Sequence, residues 1–197
     1  MRRLQVKRCN MPGGLSKKFF FTNNADALYP LTLEIIEHIK QEAIPGETVI
    51  LKLKMVLIEL LTNAIKHSGS NETIIEVSAD AYCIRLKKTD RGDALAIECG
   101  QTKLEWPLPG KHHTGRIINI YGDNYCTLKG NLENNCNINF LIHEHGDTTE
   151  MADATITLPE HFGLMIITRA CNSFLYEFDV DTCTNNFIAT INTGENN

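Results

Sequence analysis

The residues of this sequence that are best suited to chemistry stand close together, where Glu59, Asn63, Lys66 and His67 alternate with apolar residues. A carboxylate and a carboxamide four residues apart project from adjacent turns of a helix, so both can act on one ligand. The oxygen of an asparagine side chain is a hard neutral ligand that suits Mg²⁺, an ion that bridges the phosphates of nucleotides. The spacing therefore predicts a ligand-binding polar helix face.

A helix over about 48–67 must position these polar residues. At about 100° per residue they share one face, and the opposite face is apolar. We predict that the apolar face packs into the core through Leu57, Ile58, Leu60, Leu61, Ala64 and Ile65. An amphipathic helix with a merely solvated polar face would show the same spacing, so the pattern alone leaves that alternative open.

The stretch 59–67 reads Glu-Leu-Leu-Thr-Asn-Ala-Ile-Lys-His and closely resembles the N-box of the histidine-kinase-like ATPases. This superfamily, also called GHKL or Bergerat-fold, includes histidine kinases, anti-sigma-factor serine kinases and the ATPase subunits of type II topoisomerases. The resemblance implies ATP and Mg²⁺ as cofactors, with Asn63 as the metal ligand. It also implies that Glu59 is the catalytic base and that Lys66 and His67 belong to the cofactor site.

A second motif follows a predicted strand, where Asp90 and Gly92 form an Asp-x-Gly sequence. Alone this is an ordinary turn. In the resembled family such a box comes after the N-box, and it implies that Asp90 accepts a hydrogen bond from the adenine amino group. Gly92 would let the backbone approach the base. Ala94 stands where the family has a second glycine.

The third family element is a glycine-rich box that opens the last helix and covers the phosphates. Here Gly163 and Leu164 match it, whereas His161 and Phe162 stand near its first glycine. A helix N-terminus offers backbone N–H groups to an anion. Bulky neighbours and the charge of Glu160 oppose that use, which favours a degenerate site.

The arrangement of hydrophobic patterns predicts an α+β fold. The resemblance implies that this fold is a Bergerat-type two-layer sandwich, in which helices lie on one face of a mixed β-sheet. We expect one histidine-kinase-like ATPase domain over 1–197, with a β-rich insertion at 94–158 that replaces the ATP lid. The other predicted elements are strands at 18–22, 73–77, 82–86, 173–180 and 186–193 and a helix from Pro159. A further helix is predicted after capping residues at 23–26; it runs through about 34–43 and ends at Pro45 and Gly46.

Composition limits the partners and the compartment. The 197 residues, 43% apolar, suffice for one domain, and a net charge of −5 provides no basic field for nucleic acid. An apolar run of the roughly 18 residues that a membrane span needs is missing. Seven scattered cysteines are typical of reduced thiols, and no leader is evident, so we expect a cytoplasmic protein.

Histidines of the predicted insertion offer an alternative metal site. His143 and His145 would point to one face of a strand, and His112 and His113 are adjacent in sequence. Solvated histidines would fit the same pattern, so zinc binding stays open.

Two functions fit these patterns. In the first, a stand-alone ATP-binding domain, closest in layout to the anti-sigma-factor kinases, binds Mg-ATP and phosphorylates or regulates a partner protein. In the second, a catalytically inactive family member acts as a protein-interaction module through the insertion. A homodimer is compatible with both.

Overall fold

Three helices and ten strands make up the described part of the chain. The computed structural model describes residues 16–99, 102–110, 113–145 and 162–194. It confirms the predicted α+β class. The first half contains β1 (Lys17–Phe21), α1 (Ala25–Ala43), α2 (Glu47–His67), β2 (Thr73–Ala79) and β3 (Cys83–Asp90). The second half contains β4 (Ala96–Cys99), β5 (Thr102–Glu105), β6 (Ile117–Gly122), β7 (Cys126–Leu132), β8 (Asn137–Glu144), α3 (Phe162–Ala170), β9 (Ser173–Asp179) and β10 (Thr184–Asn192).

Helix α1 begins at Ala25, within the capping segment predicted at 23–26, and ends at Ala43. The side chain of Asn24 accepts a hydrogen bond of 2.9 Å from the backbone N–H of Asp26, and this cap sets the first turn. At the other end Ile44 adopts a left-handed conformation with φ 44°, which stops the helix before Pro45. Both ends of α1 therefore agree with the predicted capping segment and with the predicted stop before Pro45.

Helix α2 buries a somewhat different face from the predicted one. Leu57, Leu60, Leu61 and Ala64 are buried, as the sequence predicts. The prediction is wrong for Ile58 and Ile65, each 38% exposed. Helix α2 packs against α1, α3 and β10, and these neighbours cover a face of the helix that does not include Ile58 and Ile65. The buried set also includes Val49, Leu53 and Val56.

The eight strands of the main sheet run in the order β1-β2-β3-β10-β9-β8-β7-β6. The predicted mixed sheet is wrong for the described strands, because every pairing between them is antiparallel. Two successive helices, α1 and α2, separate β1 from β2 in the chain. Strand β2 then pairs with β1 in the antiparallel direction.

The region predicted as an insertion divides into two parts. Strands β6, β7 and β8 extend the main sheet, because β8 pairs with β9 and places Phe140 opposite Phe174. Their rings stack with centroids 4.9 Å apart. Strands β4 and β5 form a separate hairpin. Three of the five described strands of this region thus belong to the main sheet.

Two observations bear on the expected compartment. Five cysteines are free thiols, namely Cys99, Cys126, Cys136, Cys171 and Cys183. Cys83 is disulfide-bonded, so the prediction of reduced thiols is wrong for this residue. The spacing of the cysteines in the sequence gives no sign of this bond. Among the described residues, no helix combines the length and the apolar character that crossing a membrane requires.

The corrected face of α2 gives a stability prediction. Replacing the fully buried Leu61 by Ala leaves a cavity, so we expect the free energy of unfolding to fall by about 2–5 kcal/mol. The same truncation at Ile65 should cost about 1 kcal/mol, because much of this side chain already meets water. Urea unfolding of both variants measures the difference, and equal losses would contradict the assigned face.

Candidate functional site

A cavity of about 490 Å³ lies between the C-terminal part of α2, the ends of β3 and β10, the start of α3 and the β4–β5 hairpin. Pockets for small molecules commonly have volumes of about 300–1,000 Å³. Four of the residues predicted from sequence line it, namely Asn63, His67, Asp90 and Leu164. The three family-like motifs therefore meet at one place.

The other four predicted residues surround the cavity without lining it. Lys66 is exposed on α2 and is not among the residues that line the cavity. Glu59 is half-buried, one turn before Asn63. Gly92 and Gly163 act through the backbone, as the next paragraphs show.

Gly92 holds the loop after β3 against the end of α2. A Cβ at this position would collide with the backbone carbonyl oxygens of His67 and Ser68. Gly69, with φ 57°, would bring its own Cβ to 3.4 Å from the Gly92 Cα. Only glycine permits this approach. The contact sets the position of Asp90 relative to α2.

Gly163 permits a similar approach between α3 and the polar face of α2. A Cβ on Gly163 would lie 2.7 Å from the Glu59 Oε2 atom and 3.8 Å from the Asn63 Nδ2 atom. The Glu59 carboxylate therefore sits against the first turn of α3, where the helix dipole favours a negative charge. Glu59 and Asn63 are thereby kept beside the start of α3.

Asp90 is a buried carboxylate with three partners. Its Oδ1 atom accepts hydrogen bonds from the Gly92 backbone N–H and the Asn185 amide, both 3.1 Å long. Its Oδ2 atom lies 2.5 Å from the Lys88 Nζ atom, and both side chains are 3% exposed. Compensation of this kind is what a buried charge requires.

Lys88 is an unexpected member of the site. Burial lowers the pKa of its ammonium group, and the charge and hydrogen bond of Asp90 oppose that shift. The ammonium also lies 4.7 Å from the centre of the Phe187 ring, a cation–π contact. Lys88 and Phe187 both line the cavity. A nitrogen donor and a carboxylate acceptor therefore lie side by side in its wall.

A chain of hydrogen bonds fixes the orientation of Asn185. The Leu95 backbone N–H donates to the Tyr176 hydroxyl at 3.1 Å, and that hydroxyl donates to the Asn185 Oδ1 atom at 2.7 Å. The Asn185 amide nitrogen then donates to Asp90 and to the carbonyls of Gly92 and Asp93. Burial raises the pKa of Tyr176, so its hydroxyl stays a donor at neutral pH.

Trp106 closes one side of the cavity. Its indole packs edge-on against Tyr176 with ring centroids 6.1 Å apart, and the side chain is 3% exposed. Its Nε1 atom is buried and has no hydrogen-bond partner in the structure. Buried donors are normally satisfied. The Trp106 Nε1 atom is therefore an exception to this rule.

Sequence reasoning missed Lys88, Asn185, Tyr176 and Trp106. One signal was present for Lys88, because residues two apart on a strand share a face, which places it beside Asp90. The predicted strand ended at Leu86, so this alternation was not followed. For Asn185 and Tyr176, only the pairing of β10 with β3 and β9 reveals the contact. For Trp106, only its packing against Tyr176 does so.

The histidines of the predicted insertion show no metal site in the described residues. The rings of His143 and His145 are 5.9 Å apart, but His145 Nε2 is engaged with the Thr127 hydroxyl at 2.8 Å. His113 Nε2 lies 2.7 Å from the Pro109 carbonyl. His112 is outside the described residues. The described ranges contain no group of three ligating side chains.

The Gly92 contact gives a second stability prediction. Gly92→Ala should lower the free energy of unfolding by about 2 kcal/mol or more, because the opposing atoms are backbone and cannot move aside. Gly194→Ala is the matched control, since nothing lies within 4 Å of its Cβ position. Its effect should stay within about 0.5 kcal/mol. Similar urea midpoints for the two variants would refute the close approach.

Comparison with models of protein families and with curated proteins found no match to this chain. The function must therefore be inferred from the chemistry of the site itself.

Proposed function

We propose that the cavity binds a magnesium–ATP complex and that the chain is a Bergerat-type two-layer sandwich with its helices on one face of the sheet. The observation that carries this proposal is the meeting of two separate motifs. Asn63 from α2 and Asp90 from β3 line the same cavity, and Leu164 at the start of α3 completes it. This arrangement agrees with the roles that the sequence resemblance implies.

The residues present fit the two ends of such a ligand. Asp90 keeps acceptor capacity on Oδ2, because a carboxylate oxygen accepts about two hydrogen bonds and Lys88 supplies one. That capacity suits the amino group of adenine. Asn63 can offer its amide oxygen to Mg²⁺. When bound, Mg²⁺ would neutralise phosphate charge.

The charge of the cavity supports a requirement for the metal. Its wall carries the carboxylates of Asp90, Asp93 and Glu105 against the ammonium groups of Lys88 and Lys103. Much of this charge is already paired, because Lys88 binds Asp90 and Lys103 lies 2.6 Å from Glu105. A free triphosphate would therefore meet little net attraction, and its magnesium complex suits the site better.

Glu59 is the candidate base for phosphoryl transfer. It lies on the same face of α2 as Asn63 and against the first turn of α3, where phosphates bind in the resembled family. Its carboxylate would accept the proton of an attacking water or of a serine or threonine hydroxyl from a partner protein. The chain would thus act as a protein kinase or an ATPase.

A binding module without turnover is the second candidate. The observation that favours it is the pairing of Asp90 with Lys88, which compensates the charge of this buried carboxylate without a ligand. Exposed apolar side chains on β6, the following turn and β8 would then form the partner surface, through Ile117, Tyr125 and Leu141.

Nucleotide binding is tested by titrating the protein with a non-hydrolysable ATP analogue. Calorimetry and the fluorescence of Trp106, the single tryptophan, both measure the binding. We expect binding that depends on Mg²⁺ and that weakens at least about tenfold in Asn63→Ala, because a magnesium ligand is lost. Thr62→Ala, the neighbouring position, serves as the control and should bind like the wild type. Equal affinity of Asn63→Ala and the wild type would overturn the metal assignment.

Turnover separates the two candidates. If Glu59 is the base, Glu59→Gln should bind the analogue normally but release phosphate about 10²–10⁴ times more slowly than the wild type. The assay measures phosphate release and transfer of labelled phosphate to protein. Binding by the wild type without any turnover would refute the kinase and favour the binding module.

A further inference from the structure

We propose that Lys88 is a specificity-determining residue that reads the base of the nucleotide together with Asp90. In this arrangement its ammonium donates to the ring nitrogen of adenine that adjoins the exocyclic amino group, while Asp90 accepts from that amino group. The inference rests on the proposed function, since it names the base that the same cavity selects.

The acceptor sites of Asp90 are nearly used up. Two donors, the Gly92 N–H and the Asn185 amide, share its Oδ1 atom at 3.1 Å. Lys88 occupies one site on Oδ2. A carboxylate has about four such sites. One site on Oδ2 therefore remains for a ligand, and it lies next to the Lys88 ammonium.

The donors of Lys88 are only partly used. An ammonium has three N–H groups. One points to Asp90, and the Phe187 ring faces the charge at 4.7 Å. Among the described residues, Asp90 is the only carboxylate that pairs with Lys88. Because Lys88 lines the cavity, a remaining N–H can meet a ligand acceptor.

One acceptor beside one donor matches the edge of adenine, which offers an amino donor next to a ring-nitrogen acceptor. Guanine has a carbonyl acceptor and two adjacent donors, so one donor would find no partner on Asp90. Cytosine shares the polar pattern of adenine but has a smaller ring. The apolar walls formed by Leu95, Leu164 and Phe187 offer the larger purine more contact area.

The test compares the non-hydrolysable ATP analogue with its 1-deaza form, in which a C–H replaces the ring nitrogen assigned to Lys88. We expect the 1-deaza form to bind the wild type about tenfold more weakly, because a charge-assisted hydrogen bond is lost. In Lys88→Met the two ligands should bind equally. Lys87→Met, on the opposite face of β3, is the matched control and should keep the tenfold difference.

Guanine and cytosine nucleotide analogues complete the series. Each should bind the wild type at least about tenfold more weakly than the adenine analogue. Equal binding of the ATP analogue and its 1-deaza form by the wild type would overturn the role of Lys88 and leave the proposed function intact. Tighter binding of the guanine analogue would also overturn it. Failure of the wild type to bind any nucleotide would instead refute the proposed function.

Lys88→Met leaves the buried Asp90 carboxylate unpaired, which destabilises the fold. A double variant, Lys88→Met with Asp90→Asn, removes both charges and provides a second test. Thermal unfolding confirms that each variant is folded. A persistent preference of the folded double variant for the ATP analogue over its 1-deaza form would assign the ring nitrogen to another donor and overturn the proposal.

Discussion

The geometry of the cavity depends on the buried carboxylate of Asp90 and on the groups that compensate its charge. Asp90 has lost its contact with water, so protein donors must replace it, and they come from β3, from the loop that follows and from β10. Lys88 and Asp90 project from the same face of β3, which places their charges together without strain. Removing one partner of a buried ion pair typically costs about 3–5 kcal/mol. The site is therefore part of what holds the central strands in register.

The same constraint links the cavity to the rest of the sheet. Asn185 is held by Tyr176, and Tyr176 pairs with Ile138 on β8 and supports Trp106. Residues of the region predicted as an insertion therefore support the wall that faces α2. In the described part of this region, β8 lies within the sheet, whereas the β4–β5 hairpin and the residues on either side of it line the cavity.

Local sequence patterns predicted most of the helices and strands. They could not predict contacts between residues that are distant in sequence. The helical period located α2, and the N-box spacing placed Asn63 and His67 on the cavity. The period could not show which neighbours cover α2, so Ile58 and Ile65 were assigned to the core although they are partly exposed. Lys88 was missed for a different reason. A lysine two residues after Leu86 on the inward face of a strand becomes understandable only when the partner strand is known, because Phe187 lies opposite Lys88 and Asn185 lies opposite Asp90.

The pairing of β8 with β9 has a consequence for association between molecules. Without β6, β7 and β8, strand β9 would form the border of the sheet, and the backbone N–H and C=O groups around Phe174 and Tyr176 would be open. Unpaired strand borders attract strands of other chains and promote aggregation. The additional strands move this border outward to β6, which is interrupted by an irregularity between Asn119 and Tyr121. Such irregular strands are poor templates for growth, so the same segment that enlarges the sheet also protects it from self-association.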